Sequence, residues 1–385
     1  MITPTFTPNN ADVVFVGGGP VALWTAIQTK MQSPNSNIVV LEKYSEYKRV
    51  HNLFIDSASL ATECTSESFD ELVTKLKSHK VISTSLLETT LAELAEKVGV
   101  VVQKNVEIIN PKLDLAPFTN AKVIVGADGA HSIMRQYIVG DVAENCFNSR
   151  ADLHYIADLT YTEAKEPVGM LAKMTINSHV GNAIHEIHSK KSQKTTLRTF
   201  ITAEDYSMMK HATRKNPENI NSEKVAEAVR KEYLTFLKSK YGDELYDCID
   251  IEAATVTTTT LGYYVSKKMV KHEEGRTWCL VGDAAFGVPF FRSLNNGLVS
   301  GTELAKVIAN IFNSNDLYEN NKFVRNTSSF KGQYSFVKYE AYMQNFASWQ
   351  VKAARIKSFG VNAWIRIAKM FQGVSGPNEY LKSAW

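Results

Sequence analysis

The chain of 385 residues is long enough for two or three structural units, and its hydrophobic content of 44% supports a large core. The net charge of +3 is unremarkable, although residues 320–385 alone carry ten Lys and Arg against two Glu. The four cysteines are scattered without a CxxC pair, which gives no support to a metal centre, a redox motif or a disulfide framework. Without an 18-residue apolar run or a signal-peptide pattern, we expect no membrane-spanning helix and a reducing, cytoplasmic setting.

The stretch Ala11–Ala22 predicts a strand, a glycine turn and a helix in succession. An apolar run from Val13 to Val16 is typical of a buried parallel strand. In the turn that follows, Gly17 permits the tight bend, and Gly19 lets the backbone approach a pyrophosphate. Ala22 is small enough for the helix to pack closely on the strand, and the free N–H groups of the helix N-terminus can bind phosphates.

A second apolar run, Ile38 to Leu41, ends in Glu42, 20 residues beyond Ala22. An acid at this point of a βαβ unit accepts hydrogen bonds from ribose hydroxyls. Strand, glycines, helix, second strand and acid therefore predict a dinucleotide site for FAD or NAD rather than NADP. The alternative is an ordinary turn between a strand and a helix.

A later strand, Lys122 to Val125, runs into a Gly-Asp-Gly corner that contains Asp128 and Gly129. Such a corner at the carboxyl edge of a parallel sheet is a typical position for a binding site. The alternative is a strand–helix connection in which the Asp caps the helix.

Beyond residue 150 the pattern changes to alternating apolar and polar residues, which predicts antiparallel strands. We expect one amphipathic helix there, Ser222–Tyr241, with Ser222 as its cap. The first pattern returns with a buried strand that ends in Gly282 and Asp283. A helix over residues 298–312 is predicted to follow, capped by Asn295 or Asn296.

Together, the glycine turn with Glu42, the Asp128-Gly129 segment and the Gly282-Asp283 segment resemble the three signatures of class A flavoprotein monooxygenases, the para-hydroxybenzoate hydroxylase fold. The loop after Glu42 is also similar to that of MICAL-type monooxygenase domains. The resemblance implies an α/β fold with a Rossmann-like FAD-binding domain at 1–150 and 266–315. It further implies an inserted β-rich substrate domain at 151–265, followed by a helical C-terminal region at 316–385.

The resemblance implies FAD as the bound cofactor and NAD(P)H as its transient reductant. No metal is expected, because the cysteines form no ligand motif. Asp283 would contact the ribityl chain, and the Pro289 loop would lie beside the isoalloxazine. The implied cofactor-binding residues are Gly17, Gly18, Gly19, Pro20, Val21, Ala22, Glu42, Lys43, Arg49, Asp128, Gly129, Gly282, Asp283, Pro289, Asn295 and Asn296.

The loop after Pro289 departs from the family pattern, because Phe291 and Ser293 stand where the family has glycines. Phe286 likewise replaces a common histidine. The loop therefore carries a cation, Arg292, which we predict to be catalytic by stabilising reduced flavin or holding an acidic substrate. The alternative is an arginine turned to solvent or paired with a surface acid.

The predicted function is an FAD-dependent monooxygenase that uses NAD(P)H and O2 on a small-molecule substrate, with no nucleic-acid partner. One alternative keeps FAD but acts as a reductase or dehydrogenase. Another is a binding or effector protein on a flavin fold. In the basic C-terminal region, residues 316–385, an aromatic stripe at helical spacing is predicted to dock on the flavin domain. The alternative is peripheral binding to an anionic membrane or an acidic protein partner.

Overall fold

The computed structural model describes residues 7–47, 52–78, 81–162, 185–189, 194–242, 245–289, 292–313 and 335–370. The chain forms two compact units, one from Met1–Arg150 with Tyr263–Val351 and the other from Ala151–Gly262 with Lys352–Trp385. None of the described helices has the length and apolarity needed to cross a bilayer.

The first unit is built around a six-stranded sheet. Its strands are β1 (Val13–Val16), β2 (Ile38–Glu42), β5 (Val101–Lys104), β6 (Val123–Gly126), β12 (Val270–Glu273) and β13 (Arg276–Leu280). Their order across the sheet is β12-β13-β6-β1-β2-β5. All of its pairings are parallel except that of the edge strand β12 with β13. Every residue of β1 is buried, as its apolar run predicts.

Two helices of the first unit, α1 (Pro20–Gln32) and α9 (Arg292–Asn313), pack closely because glycines of α9 face α1. Trp24 Nε1 donates to Thr302 Oγ1 at 3.0 Å across this contact. The unit also contains a small antiparallel pair, β3 (Asn52–Phe54) with β4 (Val81–Ser83). Its other helices before residue 150 are α2 (Glu67–Ser78), α3 (Thr84–Lys97), α4 (Pro111–Asp114) and α5 (Ile133–Val139).

The predicted start of α9 is wrong. The helix begins at Arg292, so Asn295 and Asn296 lie inside it and cap nothing. Ser293 lies in the first turn of this helix, and its Oγ donates to the Val288 carbonyl at 3.0 Å and accepts from the Val288 amide. Helical hydrogen bonding therefore extends over polar residues that, from the sequence alone, favour a cap.

The second unit contains an antiparallel sheet of order β10-β11-β7-β9-β8, consistent with the alternating pattern of the sequence. One face of this sheet packs on the helix α7 (Glu227–Tyr241) through Leu159, Leu197, Tyr233 and Phe236. The chain enters and leaves this unit along β7 and β11, and β14 (Phe286–Gly287) pairs with the end of β11. The elements are β7 (Phe147–Thr162), β8 (His185–Ser189), β9 (Lys194–Ile201), α6 (Ala203–Met209), β10 (Glu218–Asn219), α7 (Glu227–Tyr241), α8 (Leu245–Cys248) and β11 (Thr255–Ser266).

Helix α7 begins later than predicted. Its first residue is Glu227, and Ala226 at the N-cap offers no side-chain hydrogen bond. Ser222, the predicted cap, instead accepts from the Lys224 amide in a turn. A serine hydroxyl stabilises turns as readily as helix ends, which is why the local pattern placed the start too early.

The last described helix, α10 (Phe336–Met370), packs its first half on the first unit. The buried Tyr339 hydroxyl donates to the Leu280 carbonyl at 2.8 Å, and Glu340 Oε1 accepts from the Met269 amide at 2.9 Å. Phe346 meets Phe286 edge-on at 5.7 Å. The aromatic stripe of residues 336–351 is therefore docked, while a membrane or acidic partner for the basic C-terminal region stays a prediction.

We predict that His154 makes the stability of the protein dependent on pH. Burial lowers the pKa of His154 from 6.5 to about 4, so between these values the unfolded chain binds a proton that the folded protein does not. His154 therefore does not reduce the free energy of unfolding above pH 6.5. As the pH falls to about 4, it lowers the free energy of unfolding by on the order of 3 kcal/mol. Urea unfolding of wild type and His154→Gln at pH 7, about 5.5 and about 4.5 tests this. Equal slopes against pH in the two proteins would contradict it.

Candidate functional site

The glycine turn after β1 brings two main-chain segments into direct contact. Gly17 has φ of +100°, and a Cβ there would lie 2.5 Å from the Ala127 carbonyl oxygen. No other residue fits, because the conformation is left-handed and the space is filled by backbone. The turn therefore sets the end of β1 against the end of β6.

Helix α1 starts at this turn with its amides available to a ligand. Gly19 is the N-cap residue and makes no capping hydrogen bond through a side chain. Pro20 follows at the first helical position. A Cβ at Gly19 would meet nothing within 4 Å, so that side of the turn is open. The amides of the first helical turn have no partner within the helix, and the helix dipole favours an anion there.

Glu42, at the end of β2, is 8% exposed and holds the turn from the side. Its Oε2 accepts from the Gly18 amide at 2.8 Å, and its Oε1 accepts from the Tyr44 amide at 2.9 Å. A carboxylate has about four acceptor positions, so each oxygen can accept one more hydrogen bond. Glu42 is thus oriented by the backbone and remains able to bind a pair of hydroxyls.

The Asp128 carboxylate accepts hydrogen bonds at the start of helix α5, whose N-cap residue is Ser132. It accepts from Ser132 Oγ at 2.6 Å and from the Ile133 amide at 2.8 Å. Burial is the main cause of the raised pKa of Asp128, and the hydrogen bonds that it accepts oppose that shift. Asp128 and Gly129 nevertheless line the open cleft described below.

Arg135 ties the Asp128 segment to the Gly282-Asp283 segment. Only 4% of this residue is exposed, and its Nη1 donates to the Ala284 carbonyl at 3.0 Å and to the Asp283 carbonyl at 3.3 Å. Its guanidinium also lies over the Phe147 ring, 4.6 Å from the centroid. A planar group with several donors suits this position, because it satisfies neighbouring carbonyls at once.

These segments surround a cleft of about 480 Å³ in the first unit, a size typical of ligand sites. It lies at the carboxyl ends of the parallel strands, where ligands bind in open α/β sheets. The predicted residues that line it are Gly17, Gly18, Gly19, Pro20, Val21, Ala22, Glu42, Lys43, Asp128, Gly129, Gly282 and Asp283.

Other predicted residues are placed differently. Arg49 lies outside the described residues, and Pro289 follows β14 without lining the cleft. Asn295 binds the loop after β3: its Nδ2 donates to the Phe54 carbonyl at 3.0 Å and its Oδ1 accepts from the Asp56 amide at 2.9 Å. Arg292 Nη1 donates to Gln350 Oε1 at 3.1 Å, so α10 rather than a surface acid supplies a partner.

Sequence reasoning missed part of the cleft lining. Residues 106–109 follow β5, and because β5 is parallel to β2 its end reaches the same edge of the sheet. The order of the strands, had it been known, would have indicated them. Further lining residues are Tyr44, Leu53, Thr84, His131, Ser293 and Leu294.

The residues present fit an ADP-containing cofactor such as FAD. The open space beside Gly19 leaves room for a pyrophosphate at the N-terminus of α1, and Glu42 offers oriented acceptors for a ribose. Asn296, a predicted cofactor-binding residue, does not line the cleft; it is buried, and its Nδ2 has no hydrogen-bond partner within the described part of the chain. In the same described residues, no group of His, Cys, Asp and Glu is placed to hold a metal ion.

No protein-family model and no curated protein sequence matches the chain. Among solved structures it is similar to AlpK, with a TM-score of 0.53 and 15% identity over 98% of this chain and 75% of that one. The Diels-Alderase PyrE3 gives a TM-score of 0.53 and 15% identity over 93% of this chain and 77% of that one. CmlS, a flavin-dependent halogenase, gives a TM-score of 0.53 and 11% identity over 97% of this chain and 67% of that one.

The chain has the fold of the class A flavoprotein monooxygenases. The predicted α/β class with a Rossmann-like domain and a β-rich insertion is thereby confirmed. The solved structures with this fold are named for different reactions, among them a halogenase and a Diels-Alderase. The class A monooxygenase fold therefore leaves the reaction of this chain to be argued from its site.

Two glycines of the turn should respond differently to substitution by alanine. Gly17→Ala should lower the melting temperature of the ligand-free protein, because the Cβ would meet the Ala127 carbonyl at positive φ. Gly19→Ala should change it little, since its Cβ would enter open space, but should weaken binding of FAD there. Thermal melts and FAD titrations of both variants make the comparison. Equal melting temperatures in the two variants would contradict this account of the turn.

Proposed function

We propose that this protein is an FAD-dependent monooxygenase that uses NAD(P)H and O2 to oxygenate a small-molecule substrate. The observation that carries the proposal is the open glycine turn at the N-terminus of α1, with the Glu42 carboxylate fixed beside it. Together they match the pyrophosphate and ribose of a dinucleotide. A cytoplasmic location belongs to the same proposal, because all four cysteines are free and buried.

In this proposal the first-turn amides of α1 hold the pyrophosphate, and Glu42 accepts from the adenosine ribose. Asp283, which lines the other side of the cleft, accepts from the ribityl chain. When bound, FAD would supply the redox chemistry, namely acceptance of a hydride from NAD(P)H and activation of O2 for transfer of one oxygen atom to the substrate. The contribution of the protein is to bind, orient and exclude water.

Oxygen consumption by purified protein tests the reaction. The protein should be yellow with one noncovalent FAD, and it should consume O2 only when NADH or NADPH is added. Reduction of the flavin by NAD(P)H without uptake of O2 by the reduced protein would indicate a reductase or dehydrogenase. Colourless protein that binds no added FAD would indicate a binding protein on this fold.

Glu42→Ala should weaken FAD binding ten-fold or more, because a charge-assisted hydrogen bond contributes about 1.5–3 kcal/mol. Glu42→Gln, which keeps an acceptor oxygen, should have a smaller effect. Glu107→Ala is the matched control: Glu107 also lines the cleft, but its side chain is 62% exposed, 4.0 Å from Lys43 Nζ. FAD dissociation constants from fluorescence titration should rank the variants in this order. Unchanged FAD binding by Glu42→Ala would count against the assignment.

Arg292 is proposed to act on the flavin or an acidic substrate, because it begins the helix whose next residues, Ser293 and Leu294, line the cleft. Arg292→Ala should lower the flavin reduction potential or weaken substrate-stimulated NAD(P)H oxidation. Gln350→Ala removes the same hydrogen bond and keeps the charge. Wild-type values in Arg292→Ala would show the catalytic role to be wrong, and equal losses in both variants would assign the effect to the contact with α10.

A further inference from the structure

The Tyr264 hydroxyl contacts the segment that carries Asp283. Tyr264 lies near the end of β11, and its hydroxyl donates to the Asp283 carbonyl at 2.9 Å. Its environment favours the neutral phenol, because burial raises its pKa. The hydroxyl is therefore a permanent donor to the main chain of a residue whose neighbours line the cleft.

The Tyr264 ring contacts the other end of the same turn. A Cβ built on Gly287 would lie 2.6 Å from the ring, so the ring occupies the space above that glycine. The main chain is fixed as well, because Tyr264 pairs with Gly287 and the Ser266 amide donates to the Ala285 carbonyl at 2.9 Å. A single side chain thus spans the turn from Asp283 to Gly287.

Arg135 completes the arrangement from the opposite segment. Its guanidinium lies over the Tyr264 ring, 5.2 Å from the centroid, and its Nη1 also donates to the Asp283 carbonyl. Two donors from different parts of the chain therefore converge on one carbonyl oxygen, which has two lone pairs to accept them. This fixes the peptide plane after Asp283, and with it the direction in which the residue faces the cleft.

We propose that Tyr264 is a positioning residue, which holds the turn Gly282–Gly287 so that Asp283 is oriented for the bound flavin. This inference rests on the proposed FAD site and assigns to Tyr264 a role through Asp283 rather than contact with FAD. The neutral phenol suits the task, since it can donate to a carbonyl while its ring packs on a glycine.

Tyr264→Phe tests the proposal, because it removes the hydroxyl and keeps the ring. The matched control is Tyr339→Phe, which removes a tyrosine hydroxyl that donates to the Leu280 carbonyl at 2.8 Å in the same unit. Both variants should lose similar thermal stability. Only Tyr264→Phe should bind FAD about five-fold more weakly, as expected for one neutral hydrogen bond, and alter the visible circular dichroism of the flavin.

A second set of variants tests the contact between the Tyr264 ring and Gly287. These variants also test the proposal if Tyr264→Phe does not fold. Gly287→Ala should displace the ring and weaken FAD binding. In a Tyr264→Ala background the new Cβ has room, so Gly287→Ala should add no further loss. Such non-additivity is the signature of two groups that act through one contact.

The outcomes separate this inference from the proposed function. If wild type binds no FAD, the proposed function fails and the inference fails with it. If wild type binds FAD but Tyr264→Phe and Tyr339→Phe change its affinity and circular dichroism equally, Tyr264 is only structural and the inference alone is overturned. Additive losses in the Gly287 and Tyr264 variants overturn it as well.

Discussion

A continuous series of backbone hydrogen bonds joins the carboxyl ends of four parallel strands, and the candidate site depends on it. The Gly17 amide donates to Leu41, the Ala127 amide to Val16, and the Val281 amide to Gly126, at 2.8–3.0 Å. These bonds continue the sheet just past its strands, into the turns that follow. Glu42, Gly19, Asp128 and Asp283 consequently reach one edge of the sheet from separate parts of the sequence.

The acidic residues at this edge serve the backbone before any ligand arrives. Glu42 accepts from two amides in the loops beside it, and Asp128 accepts from the start of α5. Each carboxylate therefore orders a loop and is itself oriented, which is what a preorganised site requires. Arg135 and Tyr264 do the same for the turn after β13 through donors rather than acceptors.

Parts of the structure that involve distant partners were the parts that sequence reasoning placed wrongly or left open. Asn295 has the residue type of a helix cap, yet its amide binds a loop more than 230 residues away in sequence. The sequence predicts that Arg292 acts on reduced flavin or an acidic substrate, with solvent or a surface acid as the alternative, and in the structure it contacts Gln350 of α10. Local patterns give no information about which of several satisfactory partners a polar side chain will meet.

The resemblance to class A flavoprotein monooxygenases implied the fold class, while the sequence by itself determined the buried parallel strands and the residues of the glycine turn. These follow from local physics, because apolar runs form buried strands and only glycine tolerates φ of +100° against a neighbouring backbone. Tertiary structure alone decided that residues 106–109 join the cleft and that Tyr264 spans the turn after β13. The physical reason is that strand order and side-chain partners are set by packing between segments far apart in the chain, which no local pattern records.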